Sequence, residues 1–302
     1  LVELDRMDRR ETPSTPARVT RVKQRIASMR AEVQRLEGLK ARVEAAADGQ
    51  VSLTDPDARS MATSARGTGI VGYNVQTAVD TKNHLIVAHE VTNTGSDRAL
   101  LKRVAEAARD ALGTETLTVI ADRGYYAGTE IKACVDAGIT PIVPKVQTSN
   151  AKAHGRYDKS DFVYDAEKDA YRCPAGQYAI RRFANVENGL TIYKYYASAC
   201  PRCPNRAPCT TSEYRRIGRW EHEHVLDAMQ ARLDANPNAM TLRRSTVEHP
   251  FGTLKASMGA THFLSRRLPR VSSEMALSVL AYNLKRVIKI MGTRPLLLAL
   301  RA

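Results

Sequence analysis

Residues 116–144 read TLTVIADRGYYAGTEIKACVDAGITPIVP, and this stretch decides the class of fold. An apolar run, TLTVIAD, comes first and is followed by a helical pattern near residues 128–137, which Gly138 ends. A second apolar run, ITPIVP, comes next. A strand, a helix and a strand in this order favour strands that are linked through a crossover helix. We therefore expect an α/β layer with helices packed on a sheet.

The residues upstream predict three further strands and one helix. The runs VSLTD (51–55), GIVGYNVQTAV (69–79) and LIVAHEV (85–91) predict successive antiparallel strands, and DTKNH (80–84) predicts the turn of a hairpin. Residues 96–113 predict a helix that Ser96 caps and Gly113 ends. The order of three strands, helix, strand, helix and strand indicates a mixed sheet flanked by helices.

Two longer helices are predicted near the ends of the chain. Residues 18–47 carry apolar side chains at alternating steps of four and three, which is typical of an amphipathic helix. A coiled-coil role and docking on the main body both remain open for this helix. Residues 272–292 predict a second helix, whose apolar stripe comprises Ala276, Leu280, Leu284, Val287 and Met291.

Charge and composition restrict the classes of partner. The 302 residues include 46 Lys and Arg against 32 Asp and Glu, and the formal net charge of +14 favours a polyanion such as DNA. The sequence contains no uninterrupted apolar run of membrane-spanning length, so we expect no membrane partner and a cytoplasmic location. Because the chain begins at Leu1 without methionine, we expect it to be a fragment.

Two acidic residues follow predicted strands. Asp122 ends TLTVIAD and Asp55 ends VSLTD, so the two carboxylates would converge if these strands are neighbours. Converging carboxylates are typical ligands of a divalent cation. Asp57 is the alternative to Asp55, because it would point to the same side of an extended strand. A single acid in such a place is more often a turn cap.

A third acid, Glu248, lies in RSTVEHPFGTLK (244–255), which predicts a helix with a kink at Pro250 and Gly252. At about 100° per residue, Arg244, Glu248 and Lys255 share one face. Carboxylates suit Mg²⁺ or Mn²⁺, and the neighbouring cations suit phosphates, so this combination indicates phosphodiester chemistry.

The motifs TDPDAR, GYNVQTAVD, ADRGYY and R-x3-E-x6-K, in this order, resemble the catalytic core of bacterial insertion-sequence DDE transposases. The resemblance covers about residues 51–292, with Thr241 standing where the family signature has tyrosine. It implies an RNase H-like fold in which Asp55, Asp122 and Glu248 bind two Mg²⁺ or Mn²⁺ ions. It also implies that Arg244 and Lys255 hold DNA phosphates, that the enzyme cuts element ends and joins them to target DNA, and that it acts as a homodimer.

Four cysteines, Cys173, Cys200, Cys203 and Cys209, form C-x26-C-x2-C-x5-C, which predicts a structural zinc site. Free structural thiols are the alternative. Trp220 is a candidate for stacking on a DNA base, although packing in the core is the commoner role of a lone tryptophan. Lys285, opposite the apolar stripe of the last helix, is a candidate DNA contact or a solvated charge.

The sequence thus predicts a helical arm (1–50) and a discontinuous catalytic core (51–145 and 239–302). A cysteine-bearing insertion (146–238) would interrupt this core. Two other functions remain open. One is a catalytically inactive or domesticated, zinc-stabilised DNA-binding protein, and the other is a simple RNase H-like nuclease. The three carboxylates argue against a pure binder, because each would repel DNA unless a cation intervened.

Overall fold

The computed structural model describes residues 16–62, 69–146 and 149–301, which fall into two compact units, Leu1–Gly72 and Tyr73–Ala302. The first unit contains helix α1 (Pro16–Ala45) and the antiparallel strands β1 (Arg59–Ala62) and β2 (Gly69–Gly72). Pro16 takes the first position of α1, where its missing N–H costs no hydrogen bond. Helix α1 confirms the helix that we predicted at residues 18–47.

The strand that we predicted at residues 51–55 is wrong, because the structure forms a turn there and strand β1 begins only at Arg59. The Asp55 Oδ1 atom accepts the Asp57 N–H at 3.2 Å, and the Asp55 carbonyl accepts the Ala58 N–H at 3.1 Å. Aspartate that binds its own backbone in this way stabilises a turn at the expense of a strand. Asp55 and Asp57 accordingly do not alternate along an extended chain.

The second unit begins with a hairpin of β3 (Asn74–Val79) and β4 (Ile86–Thr92), as predicted. Asp80 closes the turn, since its carboxylate accepts the N–H groups of Lys82 and Asn83 at 3.2 and 2.6 Å. The single strand that we predicted across residues 69–79 is wrong. Its first part, β2, pairs with β1 in the first unit, while its second part, β3, pairs with β4.

Next come helix α2 (Leu101–Leu112), strand β5 (Leu117–Ile120), helix α3 (Gly128–Asp136) and strand β6 (Ile139–Ile142). Ser96 caps a short 3-10 turn ahead of α2, and Gly113 ends α2 at a φ of 60°, which glycine adopts without strain. Strands β5 and β6 are parallel and are connected through α3, as residues 116–144 predict. Their shared core includes Leu101, Ala105, Ile131, Cys134, Ile139 and Val143.

Antiparallel and parallel strand pairs thus both occur, and helices pack on them. The chain is a mixed α/β protein, as we expected. Within the described residues, however, the β3–β4 and β5–β6 ladders are separate and do not join into one sheet. Helix α2 contacts β3, β4 and β5 and so connects the two ladders through packing.

Five antiparallel strands form a separate sheet in the order β11-β10-β9-β8-β7. They are β7 (Val163–Asp165), β8 (Ala170–Arg172), β9 (Tyr178–Glu187), β10 (Leu190–Tyr196) and β11 (Ile217–Trp220). This sheet has its own core of Phe162, Tyr171, Ala179, Tyr195, Ala197 and Ile217.

The chain continues through α4 (Glu223–Ala235) and α5 (Ala239–Gly252), a π-helical turn (Thr253–Ser257), α6 (Leu268–Met291) and α7 (Thr293–Ala299). The apolar stripe that we predicted for α6 is wrong in its phase. The buried face carries Val271, Met275, Val279 and Tyr282, whereas Leu280, Leu284 and Met291 are exposed. None of the helices in the described ranges has the length and the apolar character that crossing a membrane requires.

Candidate functional site at the end of strand β5

Asp122 lies two residues after β5 and has a different partner at each carboxylate oxygen. Its Oδ1 atom accepts the Gly124 N–H at 2.8 Å and so caps the 3-10 turn Arg123–Tyr125. Its Oδ2 atom accepts from the Arg243 guanidinium on α5 at 2.7 Å. The Asp122 side chain is 41% exposed, so the carboxylate is fixed in direction and still reachable from solvent.

A second carboxylate, Asp97, is held close to Asp122 by amide side chains of strand β3. The Asp97 Oδ1 atom accepts from Asn74 Nδ2 at 2.7 Å and from Gln76 Nε2 at 2.8 Å. Gln76 is only 2% exposed, and its Nε2 atom also donates to Asn74 Oδ1 at 2.8 Å. These bonds use one oxygen of Asp97 and fix the direction of the other.

The free space between the two carboxylates is at Gly124. A methyl group on Gly124 would lie 2.9 Å from Asp122 Oδ1 and 3.4 Å from Asp97 Oδ2. The first of these distances is too short for a side-chain carbon, so a larger residue at position 124 would displace the Asp122 carboxylate. The two carboxylates therefore face one small volume, and we call Asp97, Asp122 and Arg243 the acid pair site.

Tyr125 closes one side of the acid pair site. Its hydroxyl donates to the Gln76 Oε1 atom, which completes the hydrogen bonding of that buried amide. Burial raises the pKa of the Tyr125 hydroxyl, and the nearby negative charges of Asp97 and Asp122 raise it further. Tyr125 therefore stays neutral and serves as a hydrogen-bond donor at this site.

Glu248 and Arg244 lie together on α5, as the sequence predicts. The Arg244 Nε atom is 4.0 Å from Glu248 Oε1, and both side chains are largely exposed, by 75% and 68%. The helix continues through Pro250, and the irregularity follows it as the π-helical turn that carries Lys255. Helix α5 contacts β3 and β5, so it lies against the strands that present the acid pair site.

The residue that bonds Asp122 is Arg243, which the sequence analysis did not single out. Arg243 and Glu248 are five steps apart, which places them about 140° apart around an α-helix. The structure thus brings α5 to Asp122 through a different face from the one that carries Arg244 and Glu248.

Asp55 belongs to the first unit. It is 8% exposed, and its N–H donates to Ser52 Oγ at 3.2 Å. A buried carboxylate must have its charge satisfied, and the turn of Asp55 supplies the Asp57 N–H for this purpose.

The described side chains do not fit a bound metal ion as they lie. Among them, no three or more His, Cys, Asp or Glu side chains are arranged so that they could hold one. At Asp122 the reason is visible, because one oxygen caps a turn and the other bonds a guanidinium. The positive charge beside the Asp122 carboxylate is thus supplied by Arg243, which belongs to the same unit.

The four cysteines that we predicted to bind zinc lie around one cavity beside the core of the five-stranded sheet. Burial raises the pKa of the Cys209 thiol. The neighbouring sulfurs of Cys173, Cys200 and Cys203 raise this pKa further, whereas the positive charge of Arg215 lowers it. All four are free cysteines that pack beside Phe162, Ala179 and Arg215. The sequence analysis correctly grouped these residues in space, but their described arrangement does not form a metal-holding group.

The two remaining candidates occupy opposite environments. Trp220 is 7% exposed, and its ring lies 3.2 Å from the position that a Cβ atom on Gly128 would take. This is the packing role that we weighed against DNA stacking. Lys285 is exposed on α6, one residue before Arg286, which donates to the Asn83 carbonyl at 2.7 Å.

Five residues of this site were not among those that we predicted from the sequence, namely Asn74, Gln76, Asp97, Tyr125 and Arg243. One signal could have pointed to Gln76, since it is an amide at a position of β3 that is buried in the hairpin. Buried polar side chains require partners, and its partners are the acid and the tyrosine of this site.

Fold and site together define a class of protein. It is a basic α/β protein that presents paired carboxylates and a guanidinium at the end of a strand. A model of the transposase DDE domain family matches residues 40–284, so the chain belongs to this family of insertion-sequence DDE transposases. No curated protein and no solved structure matches the chain.

Proposed function

We propose that this chain cuts DNA at the ends of a mobile element and joins those ends to target DNA. Membership of a transposase family supports a DNA-binding transposase role. The observation that carries the chemical proposal is the Asp122 carboxylate, which is half-exposed, held at the end of β5 and bonded to a cation. The formal net charge of +14 suits a DNA substrate.

The residue roles that we propose follow the family signature. Asp55, Asp122 and Glu248 are the acids, and members of this family generally use divalent metal ions. As they lie, the described side chains do not form a ligand set for these ions. Arg244 and Lys255 are exposed and would bind DNA phosphates, Arg244 through its planar guanidinium and Lys255 as a point charge, while Lys285 is a candidate for flanking DNA.

The structure adds positioning residues to this proposal. Gln76 and Asn74 orient Asp97, and the turn at Gly124 orients Asp122. Arg243 fixes the second oxygen of Asp122 and lowers the repulsion between that carboxylate and a DNA phosphate. The acid pair site would thus present oriented charge to a substrate without reorganising first.

We also propose the domain organisation that follows from this function. The RNase H-like core would comprise residues 51–145 and 239–302, with residues 146–238 as an insertion and residues 1–50 as an arm. The five-stranded sheet with a core of its own supports the insertion. A homodimer that bridges two element ends is part of the same proposal.

Structural zinc at the four insertion cysteines stays a prediction from their spacing, which their shared cavity supports. Its test is the metal content of the purified chain before and after thiol modification. One zinc released per chain would support the prediction. Its absence, together with four reactive thiols, would favour the free cysteines.

The experiment that tests the function is cleavage of DNA carrying the native element ends with Mg²⁺ or Mn²⁺. The variants are Asp122→Asn and Glu248→Gln, and the control is Asp110→Asn, since Asp110 is an exposed acid on α2 that pairs with Arg109. Loss of cleavage in the first two at unchanged DNA binding would support the proposal. DNA binding without cleavage by the native chain would favour the passive binder, and cleavage without strand transfer would favour the simple nuclease.

A further inference from the structure

Helix α1 carries a continuous row of apolar side chains that are exposed. Val19, Val22, Ile26, Met29, Val33, Leu36 and Val43 are between 37% and 63% exposed. They follow one another at steps of three and four over the 30 residues of the helix, and Lys40 takes the one position that breaks the series. This spacing is typical of a coiled-coil seam about four heptads long.

The residue types at the seam are those of a two-helix pair. Val19, Ile26 and Val33 occupy the a positions, and Val22, Met29, Leu36 and Val43 occupy the d positions. A single charged residue in the seam, here Lys40, favours two helices, because its ammonium group can reach water from a two-helix seam more easily than from the enclosed core of three or four. Gly38 lies at an f position, which points away from the seam and requires no side chain.

The charges beside the seam fix the direction of the partner helix. In the first half of α1 the described flanking positions are basic, namely Lys23, Arg25 and Arg30. In the second half the charged flanking positions are acidic, namely Glu32, Glu37 and Glu44. A parallel second copy would place like charges together, whereas an antiparallel copy would place the basic half beside the acidic half.

We propose that α1 forms an antiparallel two-helix coiled coil with α1 of a second copy of this chain. In this pairing each a position faces a d position of the partner. Val19 then lies opposite Val43, Ile26 lies opposite Leu36, and Val33 lies opposite Met29, so the whole length of the helix is used. Lys40 lies opposite Val22 near one end, where a lysine can extend its ammonium group to water.

Among the described side chains of α1, two ion pairs exist and must coexist with this arrangement. Arg35 donates to Glu32 at 2.6 Å, and Lys40 lies 3.8 Å from Glu44. Both pairs are largely exposed, so they contribute little and hold neither acid away from a partner helix. Each acid has room for a second cation, because a carboxylate accepts several donors.

The first experiment measures the mass of the whole chain by sedimentation equilibrium at micromolar concentration. We expect twice the 33.4 kDa of one chain. The variant Ile26→Asp,Val33→Asp should become a monomer. The control variant Gln24→Asp,Ala31→Asp changes outward f positions and should stay a dimer. A native chain that is a monomer, or a control that dissociates as readily as the seam variant, would overturn the proposal.

Charge reversal tests the direction and does not disturb the apolar seam. The variant Lys23→Glu,Arg25→Glu,Arg30→Glu makes both halves acidic and should lose the dimer. Adding Glu32→Lys,Glu37→Lys,Glu44→Lys exchanges the two halves and should restore it, while circular dichroism reports an intact helix in both. Failure of the sixfold variant to dimerise would contradict an antiparallel pairing.

Disulfide formation provides an independent measure of direction. Chains with Val19→Cys mixed with chains carrying Val43→Cys should cross-link, while Val19→Cys alone should give no more cross-link than the native chain. Cross-linking by Val19→Cys alone would show a parallel pair and would overturn the proposal.

Discussion

The Arg243 Nη2 atom donates to Asp122 Oδ2 across 2.7 Å, and this bond joins helix α5 to the end of strand β5. Arg243→Gln should lower the rate of DNA cleavage about tenfold, because Asp122 loses the group that orients it. Stability should change by less than about 1 kcal/mol, since the Asp122 side chain is 41% exposed. Single-turnover cleavage and urea unfolding measure the two effects.

The neighbouring residue Arg244 supplies the matched comparison. Arg244→Gln should weaken binding to all DNA sequences and reduce the salt dependence of binding by about one phosphate contact, because Arg244 is an exposed cation. Equal effects of the two variants on binding and on cleavage would argue against separate roles.

Asp97→Asn should reduce cleavage at least about tenfold and leave stability unchanged or slightly raised. The asparagine oxygen can still accept from Asn74 and Gln76, while the repulsion between two neighbouring carboxylates is removed. Asp110→Asn, at an exposed ion pair, serves as control. Full activity of Asp97→Asn would remove Asp97 from the site.

Gln76→Leu should destabilise the protein by about 2 kcal/mol, because the Tyr125 hydroxyl and one oxygen of Asp97 lose a buried partner. Chemical denaturation measures the loss. The comparison is Gln230→Leu, which removes a hydrogen bond between Gln230 and Asp234 on α4. In the double variant Gln76→Leu,Tyr125→Phe the two effects should not add, since both remove the same bond.

Glu274 makes part of the stability dependent on pH. Burial works to raise the pKa of its carboxyl, but hydrogen bonds from the N–H groups of Leu264 and Ser265 outweigh burial and hold the pKa below 4.5. A depressed pKa contributes stability that is present above pH 4.5 and is lost as pH falls through the folded value. Glu274→Gln should reduce this acid-side loss, as measured by thermal melts between pH 3 and 6, roughly the range in which carboxyl groups titrate. An unchanged pH profile would contradict this assignment.

Trp220→Ala should cost about 3 kcal/mol through the cavity that it leaves beside Gly128. Because the ring is buried, DNA affinity of the folded variant should match that of the native chain. Fluorescence anisotropy with element-end DNA, below the melting temperature of the variant, measures the affinity. Weakened binding at intact folding would favour the stacking role.

The sequence was sufficient for elements whose signals are local. The hairpin β3–β4, the helix that Gly113 ends and the parallel pair around α3 follow from alternation, a left-handed glycine and apolar runs. The prediction of a strand at residues 51–55 was wrong. The apolar alternation there favours a strand, but the Asp55 carboxylate accepts a backbone N–H and stabilises a turn instead.

Tertiary packing decided which face of α6 is buried and which residue pairs with Asp122. On α6, apolar residues occur all round the helix, so the sequence could not show that Val271 and Tyr282 rather than Leu280 and Leu284 face the core. At the site, the position of Asp122 was predictable from the strand end. Its partner Arg243 was not, because the choice between two adjacent arginines depends on the rotation of α5 against β5.

The π-helical turn Thr253–Ser257 changes the positions around the helix axis that the residues of the family signature take. Seven α-helical steps would return Lys255 almost to the azimuth of Glu248, but a wider turn advances fewer degrees per residue and leaves Lys255 out of phase. Such a turn often amounts to one inserted residue in an α-helix, so deleting Ala256, the residue after Lys255, would return Lys255 to the azimuth of Glu248 and rotate everything that follows by about a quarter turn.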